Sequence, residues 1–369
     1  MHINLILVLF VIILGGSLGG KDTQKSRKWY IILCSAVLVF VAAMRSPEGM
    51  TNEYGFDTVV YRYNFEKSFD MGWNEFWEAV AERYVGLNDD SDVGFLGLQK
   101  IIGLFTHDFH IYSLIADLLF FIPFGILLYR YTTSMKQLIF AYIYYIALVQ
   151  VYFFGGARQI FAMGFDLMAL LAIMDRKKVV TIILFLIGVS IHFSSFLFAI
   201  PLLMIWFNTS PRTLKVLHVV CFILFPLVFM MPNQVIRFMG EASGMEKYAN
   251  YAKRVVNGGA NMFIFLIELL SLFCMVAIKK KDMVLSKKLQ NFYVMVPLFT
   301  FFAPLVRSNG TMIRIALYYS IFLSVLVPYS IDSLFRNNEK TIAYIVAIGS
   351  LAFLTVANGG MVYYFYWQF

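Results

Sequence analysis

Charged residues are scarce in this chain. Asp, Glu, Lys and Arg make up 14% of its 369 residues and 60% are hydrophobic, whereas an ordinary globular protein has about 25% charged and roughly 45–50% apolar residues. Apolar runs of roughly 16 to 20 residues recur along the whole sequence, which is long enough to cross the hydrocarbon of a bilayer as helix. The scarcity of charge therefore excludes an ordinary soluble domain and predicts an all-α integral membrane protein.

Cysteines and the common catalytic signatures are also few. Cys34, Cys221 and Cys274 lie inside apolar runs, where a thiol behaves as a small hydrophobe, so neither a disulfide framework nor a cysteine metal site is expected. The sequence has no Walker-type loop, no His-Glu-x-x-His signature and no paired acidic motif suited to a metal and a nucleotide sugar. The acidic stretch "NDDSD", Asn88 to Asp92, has unspecific spacing and is interpreted as a solvated loop. We therefore predict no metal and no cofactor; a transferase here would take a donor already carried on a lipid.

The apolar runs predict a polytopic bundle of about twelve spans in a single domain over 1–369. The first run has no preceding Lys or Arg and no small-residue cleavage site after it, so we expect a retained span and not a secretory signal. In the run 94–128 the span lies near 110–128 and an interfacial segment precedes it. The expected runs are 2–20, 29–44, 94–128, 138–154, 158–174, 179–191, 195–207, 214–231, 261–278, 289–306, 312–330 and 341–358.

Topology accounts for the net charge of +8. Six alternate connections hold 18 of the 30 Lys and Arg residues but only five of the acidic ones, and the positive-inside rule makes them cytoplasmic. Both termini, the large loop 45–93 and a second loop 232–260 then face the periplasm or exterior. No nucleic-acid partner is expected, because the basic residues lie in short loops and form no groove-reading face. The six connections are 21–28, 130–136, 175–178, 208–215, 279–288 and 331–340.

Two helical patterns stand out in the outer loop between spans 2 and 3. In "GFDTVVYRYNF", Asp57, Tyr61 and Phe65 recur at every fourth position, beside Arg62 and Glu66, which are spaced to pair. The second pattern, "MGWNEFWEAVAERY", predicts an amphipathic helix that lies on the bilayer surface with its aromatic face down, as part of a lid. The residues on that face are Trp73, Phe76, Trp77, Val80 and Tyr84.

Four arginines lie at predicted outer ends of spans: Arg45, Arg158, Arg307 and Arg314. Arginine at such positions can anchor a helix to headgroups, but this alternative is weaker for Arg158 and Arg314, which follow short connections and lead into apolar sequence. A charge at the edge of a span costs a few kcal/mol unless it is paired or hydrated. Since the planar guanidinium binds phosphate in a bidentate manner, we predict that the four converge on one membrane face and bind a lipid-linked diphosphate.

Two further residues are candidates for proton transfer. His192, in "SIHFSSF", lies at a predicted outer turn, where it either caps backbone groups or serves as a general base. Asp57 lies near the start of its helix, where it either caps free N–H groups or acts in catalysis. For Asp117, Asp166 and Glu268, which lie within spans, a structural role is favoured.

Several short blocks together resemble the EpsG-like branch of the Wzy-type polysaccharide polymerases. In order along the chain they are Arg45 followed by "GFDTVVYRYNF", then "DVGFLGL", "FFGGARQIFAMGF", "IHFSSFLFAIP" and "RIALYY". The match runs from about residue 45 to 330. The sequence departs from the family in the longer segment "SPEGMTNEYG" and in having Asp92 where Glu is common.

The resemblance implies a GT-C-like transferase on the outer face of a bacterial inner membrane. It would join O-antigen or exopolysaccharide repeat units carried on polyprenyl pyrophosphate, with membrane lipid, a chain-length regulator and a flippase as further partners. Carried over by motif, the implied site residues are Arg45, Asp57, Tyr61, Arg158, Gln159, His192, Arg314 and Tyr318. Their residue chemistry, with Tyr63 and Arg307 added, suggests roles: Asp57 or His192 is catalytic, and Tyr61 and Tyr63 bind sugar. The substrate- and pyrophosphate-binding residues are Arg45, Arg158, Gln159, Arg307, Arg314 and Tyr318.

Two other classes of membrane protein remain as alternatives. A twelve-span transporter or flippase commonly has cytoplasmic termini and halves of similar pattern, whereas both termini here are predicted to face out. An O-antigen ligase or membrane acyltransferase would use the same arginines and His192. Loss of a ligase leaves polymer on its lipid carrier, whereas loss of a polymerase leaves single repeat units.

Overall fold

The protein is all-helical in the residues that its computed structural model describes, namely 3–46, 56–85, 92–154, 156–243, 261–280, 287–308, 312–357 and 363–368. The first helices are α1 (Ile3–Gly19), α2 (Gln24–Ala43), α3 (Phe56–Asp70), α4 (Trp73–Val85), α5 (Val93–Gly103), α6 (Phe109–Tyr131), α7 (Met135–Leu148), α8 (Gln150–Phe154), α9 (Ala157–Met174) and α10 (Lys178–Ile191). They are followed by α11 (Ala199–Trp206), α12 (Pro211–Met230), α13 (Pro232–Ser243), α14 (Asn261–Lys280), α15 (Lys287–Gln290), α16 (Met295–Phe302), α17 (Ile313–Ser320), α18 (Leu323–Leu334) and α19 (Asn337–Ala357). Short 3-10 segments occupy Phe193–Phe198, Asn291–Val294, Ala303–Arg307 and Tyr366–Gln368.

Several of these helices are long and apolar enough to cross a membrane. Five qualify, in α2, α6, α9, α12 and α19, and a sixth is obtained when α17 and α18, bent by 48° at their break, are taken as one span. Shorter apolar helices, among them α1, α7, α10 and α14, occupy other predicted runs. The prediction of a multi-pass all-α membrane protein is confirmed, while the count of twelve spans stays a prediction.

The residues group into two compact units, and the prediction of one domain over 1–369 stays a prediction. The first unit comprises 1–199 and 344–369, the second 200–343. In the first, α9 packs against α10 and α6, α2 against α6, α1 against α7, and α5 against both α3 and α10. In the second, α12 packs against α16, and α14 against α18. The predicted outer loop 232–260 begins with α13, and its residues 244–260 lie outside the described part.

Two polar contacts in the first unit join connections that the charge count places on the same side of the membrane. The Met135 backbone N–H donates to Asp22 Oδ2 at 2.9 Å, and Arg130 Nη1 bonds Asp175 Oδ1 at 2.9 Å. These contacts join three of the connections that the positive-inside rule assigns to the cytoplasm. Arg158 lies at the opposite end of α9 from Asp175. The compartment that each end faces stays a prediction.

The outer-loop helices α3 and α4 form as the two patterns predict. Tyr61 and Phe65 are buried in one cluster with α5 and α6, and Arg62 Nε bonds Glu66 Oε1 at 2.9 Å on the exposed side. In α4 only Phe76 of the predicted aromatic face is buried, against Gly97 of α5, while Trp77 and Tyr84 are exposed. Exposed aromatic side chains suit a helix at the membrane interface; the lid role stays a prediction.

The last described residues, 363–368, return to the end of α2, and we call them the C-terminal strap. Arg45 and Phe365 form an isolated antiparallel bridge, with the Ser46 N–H donating to the Tyr364 carbonyl and the Tyr366 N–H to the Met44 carbonyl, at 2.8 and 3.1 Å. The ring of Tyr366 lies 4.1 Å from that of His110, whose Nδ1 is 3.0 Å from the Ala43 carbonyl oxygen. The strap therefore packs against the segment that contains Arg45.

We expect the strap to be detectable by cross-linking. The flanking bonds make Arg45 and Phe365 a non-hydrogen-bonded pair, whose Cα atoms lie about 4.5 Å apart, within the range that a disulfide spans. Arg45→Cys with Phe365→Cys should therefore form an oxidative cross-link in membranes, detected by mass spectrometry of the joined peptides. Trp29→Cys with Phe365→Cys is the control, since Trp29 lies near the other end of α2. Equal cross-linking of both pairs, or of neither, would contradict the strap.

One glycine allows α6 and α9 to pack closely. A Cβ at Gly164 would lie 2.4 Å from the Leu119 carbonyl oxygen and 2.8 Å from its carbon. These are backbone atoms of another span, so they cannot move aside as a flexible side chain would. Gly164 therefore fixes the separation of the two helices, and α9 carries Arg158 at its start.

Gly164→Ala should destabilise the protein by about 1–3 kcal/mol, the usual cost of overpacking, and lower the melting temperature of the detergent-purified chain. The matched control is Gly16→Ala, because a Cβ at Gly16 in α1 meets nothing within 4 Å and alanine favours helix. An unchanged melting temperature for Gly164→Ala would show that the close approach is not a constraint.

Candidate functional site

The predicted site residues divide between the two units. Arg45, Asp57, Tyr61, Tyr63, Arg158, Gln159 and His192 belong to the first, whereas Arg307, Arg314 and Tyr318 belong to the second. The convergence of all four arginines therefore stays a prediction. The first unit does bring several of its predicted residues together.

An acidic residue, Asp92, joins two of the candidates. Its Oδ2 accepts a hydrogen bond from Arg158 Nη1 at 2.7 Å, and the same oxygen lies 3.5 Å from His192 Nδ1. The Asp92 side chain is 15% exposed, that of His192 17% and that of Arg158 30%. The three groups therefore form one half-buried constellation at the starts of α5 and α9 and the end of α10.

Local structure explains why these helix ends meet. A Cβ at Gly94 would lie 2.5 Å from the backbone carbonyl carbon of Ser190, so only glycine permits this approach of α5 to α10. Asp92 precedes Gly94 by two residues and His192 follows Ser190 by two. Asp92 holds the N-cap position of α5 but makes no side-chain cap bond there, although capping is the common role of aspartate at that position. Its carboxylate instead bonds Arg158 of α9 and lies near His192 at the end of α10.

Tyr61 covers the arginine of this constellation. Arg158 Cζ lies 5.9 Å from the centre of its ring, and Phe95 meets the ring edge-on at 5.7 Å. The side chain is 3% exposed, whereas Tyr63 on the other side of α3 is 60% exposed, with Lys67 Nζ 5.9 Å from the centre of its ring. The two tyrosines predicted to bind sugar thus lie on different faces of α3. Their role in sugar binding stays a prediction.

Arg45 is buried, with 4% of its surface exposed. Its Nη1 donates to the Ala42 carbonyl at 3.0 Å, and its guanidinium lies 5.4 Å from the ring centre of Phe154. Burial lowers the pKa of the Arg45 guanidinium, and the charge of Asp117 opposes that shift. Tyr61 lies near both Arg45 and Arg158, so the two arginines belong to one neighbourhood.

The other candidates of the first unit have diverse surroundings. Gln159 is buried within α9, where its Nε2 lies 3.8 Å from Met163 Sδ. Asp57 lies in the first turn of α3, and its side chain is outside the described part; the next residue, Thr58, donates to the Phe154 carbonyl at 2.9 Å. This bond connects the start of α3 to Phe154, whose ring lies against the Arg45 guanidinium.

The interpretation of Asp166 as a structural residue agrees with its contacts. Ser195 Oγ lies 2.7 Å from both carboxylate oxygens of Asp166, which is 1% exposed. A buried carboxylate needs such partners because an unpaired one is costly inside a membrane protein. The pair fixes the 3-10 segment after His192 to α9, and thereby holds the turn that carries the imidazole.

The second unit holds its candidates at the ends of short helices. Arg307 is exposed and its Nη1 donates to the Phe229 carbonyl at 2.8 Å, near the end of α12, with the guanidinium 4.5 Å from that ring centre. Arg314 is half-buried and Tyr318 is buried, both on α17. They are four positions apart, so they share one face of the helix.

Asp92, the first residue of the block "DVGFLGL", belongs to the candidate site although the sequence assigns no role to it. The interpretation of "NDDSD" as a solvated loop is wrong for Asp92, because its carboxylate is largely buried and paired; residues 88–91 lie outside the described part. The signal was the glycine two positions on, which marks a close helix approach. Within the described ranges no group of three or more His, Cys, Asp and Glu residues comes together to hold a metal ion.

The constellation combines two chemical capacities. A guanidinium has five N–H donors, so the bond to Asp92 leaves Arg158 able to donate to phosphate oxygens as well. An imidazole whose Nδ1 faces a carboxylate presents Nε2 on the other side of its ring, as a general base requires. The arrangement therefore suits transfer of a proton beside a bound anion.

Comparison with known proteins identifies a family. No curated protein and no solved structure is significantly similar to this chain. The sequence profile of the EpsG family matches residues 28–366, which include most of α2, all of α9 and α17, and all of the predicted site residues. The chain therefore belongs to the EpsG family of membrane proteins of polysaccharide biosynthesis.

Proposed function

We propose that the protein is a polysaccharide polymerase, a glycosyltransferase that joins oligosaccharide repeat units carried on polyprenyl pyrophosphate. The observation that carries the proposal is the contact of Arg158, Asp92 and His192 in a membrane protein of the EpsG family. It provides a cation for the leaving diphosphate and a base for the attacking hydroxyl. Both are needed when a sugar is transferred from a lipid diphosphate.

The arginines stabilise the negative charge of the leaving group in this proposal. As the bond between the anomeric carbon and the diphosphate breaks, negative charge grows on the diphosphate, and preorganised donors stabilise that charge where water is largely excluded. Arg158 is held in place by Asp92 and covered by Tyr61. Arg307 and Arg314, both in the second unit, are proposed to serve the second lipid diphosphate. Permanent cations of this kind would serve in place of a metal ion.

The proposed site faces the periplasm or exterior of a bacterial inner membrane. The support is the charge asymmetry, since connections rich in Lys and Arg meet at the end of the first unit's helices opposite to Arg158. Lipid-linked repeat units are hydrophobic at one end and polar at the other, so a site at a span end suits both. Trp77 and Tyr84 on α4 and the exposed Tyr63 offer stacking surfaces for sugar rings at that end.

Replacing either Arg158 or Arg314 should stop chain growth. In cells that depend on this protein, Arg158→Ala and Arg314→Ala should each abolish long-chain polysaccharide while single lipid-linked repeat units accumulate, because the leaving diphosphate loses its cation. The measurement is gel analysis of the polymer together with mass spectrometry of the lipid-linked intermediates.

The matched controls are Arg62→Ala and Arg237→Ala. Each is an exposed arginine paired four residues along its own helix, one in each unit, and should leave chain length unchanged. Normal chain lengths in both Arg158→Ala and Arg314→Ala would overturn the assignment. Accumulation of finished polymer on its carrier would indicate the ligase, and repeat units trapped inside the cell would indicate the flippase.

A further inference from the structure

The carboxylate of Asp92 serves two partners through one oxygen. Oδ2 is 2.7 Å from Arg158 Nη1 and 3.5 Å from His192 Nδ1. These partners come from different helices, α9 and α10, and Asp92 itself comes from the residue before α5. A single carboxylate therefore fixes the relative position of a guanidinium and an imidazole.

We infer that Asp92 is a positioning residue for His192, which acts as the general base of the proposed reaction. The inference rests on the proposed function and deepens it. The Asp92 carboxylate lies 3.5 Å from Nδ1 on one side of the imidazole, so we assign Nε2 as the nitrogen that meets the sugar hydroxyl. It holds Arg158 beside that imidazole, so that base and cation act on one substrate.

The bond changes balance without any further reactant. The acceptor hydroxyl transfers its proton to His192 Nε2, and its oxygen forms the new glycosidic bond to the anomeric carbon of the donor. The bond from that carbon to the diphosphate oxygen breaks, and polyprenyl diphosphate leaves with the electron pair, its charge stabilised by Arg158. The imidazolium that results lies beside the Asp92 carboxylate, which stabilises the positive charge as an aspartate does in a hydrolase triad.

The packing supports a positional role for Asp92 in preference to a merely structural one. An aspartate that only stabilised α5 would accept hydrogen bonds from that helix's own N–H groups, but the Asp92 side chain caps nothing there. The close approach at Gly94 and Ser190 also brings the start of α5 to the imidazole. Ser195 and Asp166 fix the segment after His192 from the other side.

The inference is tested in purified protein with a defined polyprenyl-pyrophosphate oligosaccharide, by comparing kcat and KM. Asp92→Asn should lower kcat by about 10²- to 10⁴-fold, the usual contribution of general base catalysis, and change KM by less than about threefold. Asp92→Glu keeps the charge but moves the carboxylate, so its kcat should lie between those of the wild type and Asp92→Asn. In a His192→Gln background, each Asp92 variant should lower kcat by a smaller factor than in the wild type, because only the part of the effect that acts through Arg158 remains.

The matched control is Asp175→Asn. Asp175 also pairs with an arginine, Arg130, at 2.9 Å, but at the other end of α9, so kcat should be unchanged. If Asp92→Asn fails to fold, as judged by its melting temperature, the test is whether Asp92→Glu lowers kcat less in the His192→Gln background than in the wild type. Wild-type kcat in the folded Asp92→Asn variant, or equal losses with and without His192, would overturn the inference. Absence of any product from the wild type would instead overturn the proposed function.

Discussion

The ion pair between Asp92 and Arg158 is the interaction on which the candidate site depends. A cation at the end of a membrane span costs several kcal/mol unless a partner or water compensates it, and a half-buried pair at 2.7 Å provides that compensation. The same pair binds the start of α5 to the start of α9 and places an imidazole beside both. Because the carboxylate is shared, the position of each group depends on the other two.

Close helix packing makes this pair possible. Gly94 lets α5 reach α10, and Gly164 lets α9 reach α6, in both cases through contact with backbone atoms. Around this frame the first unit arranges its polar loops at one end of the helices, and Arg45 and Arg158 at the other. Arg45 lies beneath the C-terminal strap with Phe154 against its guanidinium. The membrane helices thus act as rigid supports for a few charged groups at one end.

Much of the fold follows from the sequence because the signals are local. Apolar runs predict α2, α6 and α9 to within a few residues, and the fourfold spacing of Tyr61 and Phe65 predicts that they share one face of α3, which the structure shows to be buried. The pairing of Arg62 with Glu66 follows in the same way. Each of these features depends on residues within one or two helical turns, where spacing alone is sufficient.

The contacts between distant segments were not predictable in this way. The unspecific spacing of "NDDSD" predicts a solvated loop for Asp92, and Gly94 marks a close approach without indicating that the partner helix is α10. The strap joins residues about 320 positions apart, which no periodicity reveals. Arg45 was predicted as a phosphate ligand, yet it is buried, because a guanidinium at a span end can be covered by chain from elsewhere.

The central claim is that the site elongates a lipid-linked polymer with arginines as its cations. The most direct measurement is a reaction of the purified protein with a defined polyprenyl-pyrophosphate oligosaccharide, with and without a chelator, followed by gel separation of the products. The account predicts a ladder of products that differ by one repeat unit and persists after chelation. A single transfer product without elongation, or a ladder that disappears with the chelator, would contradict it.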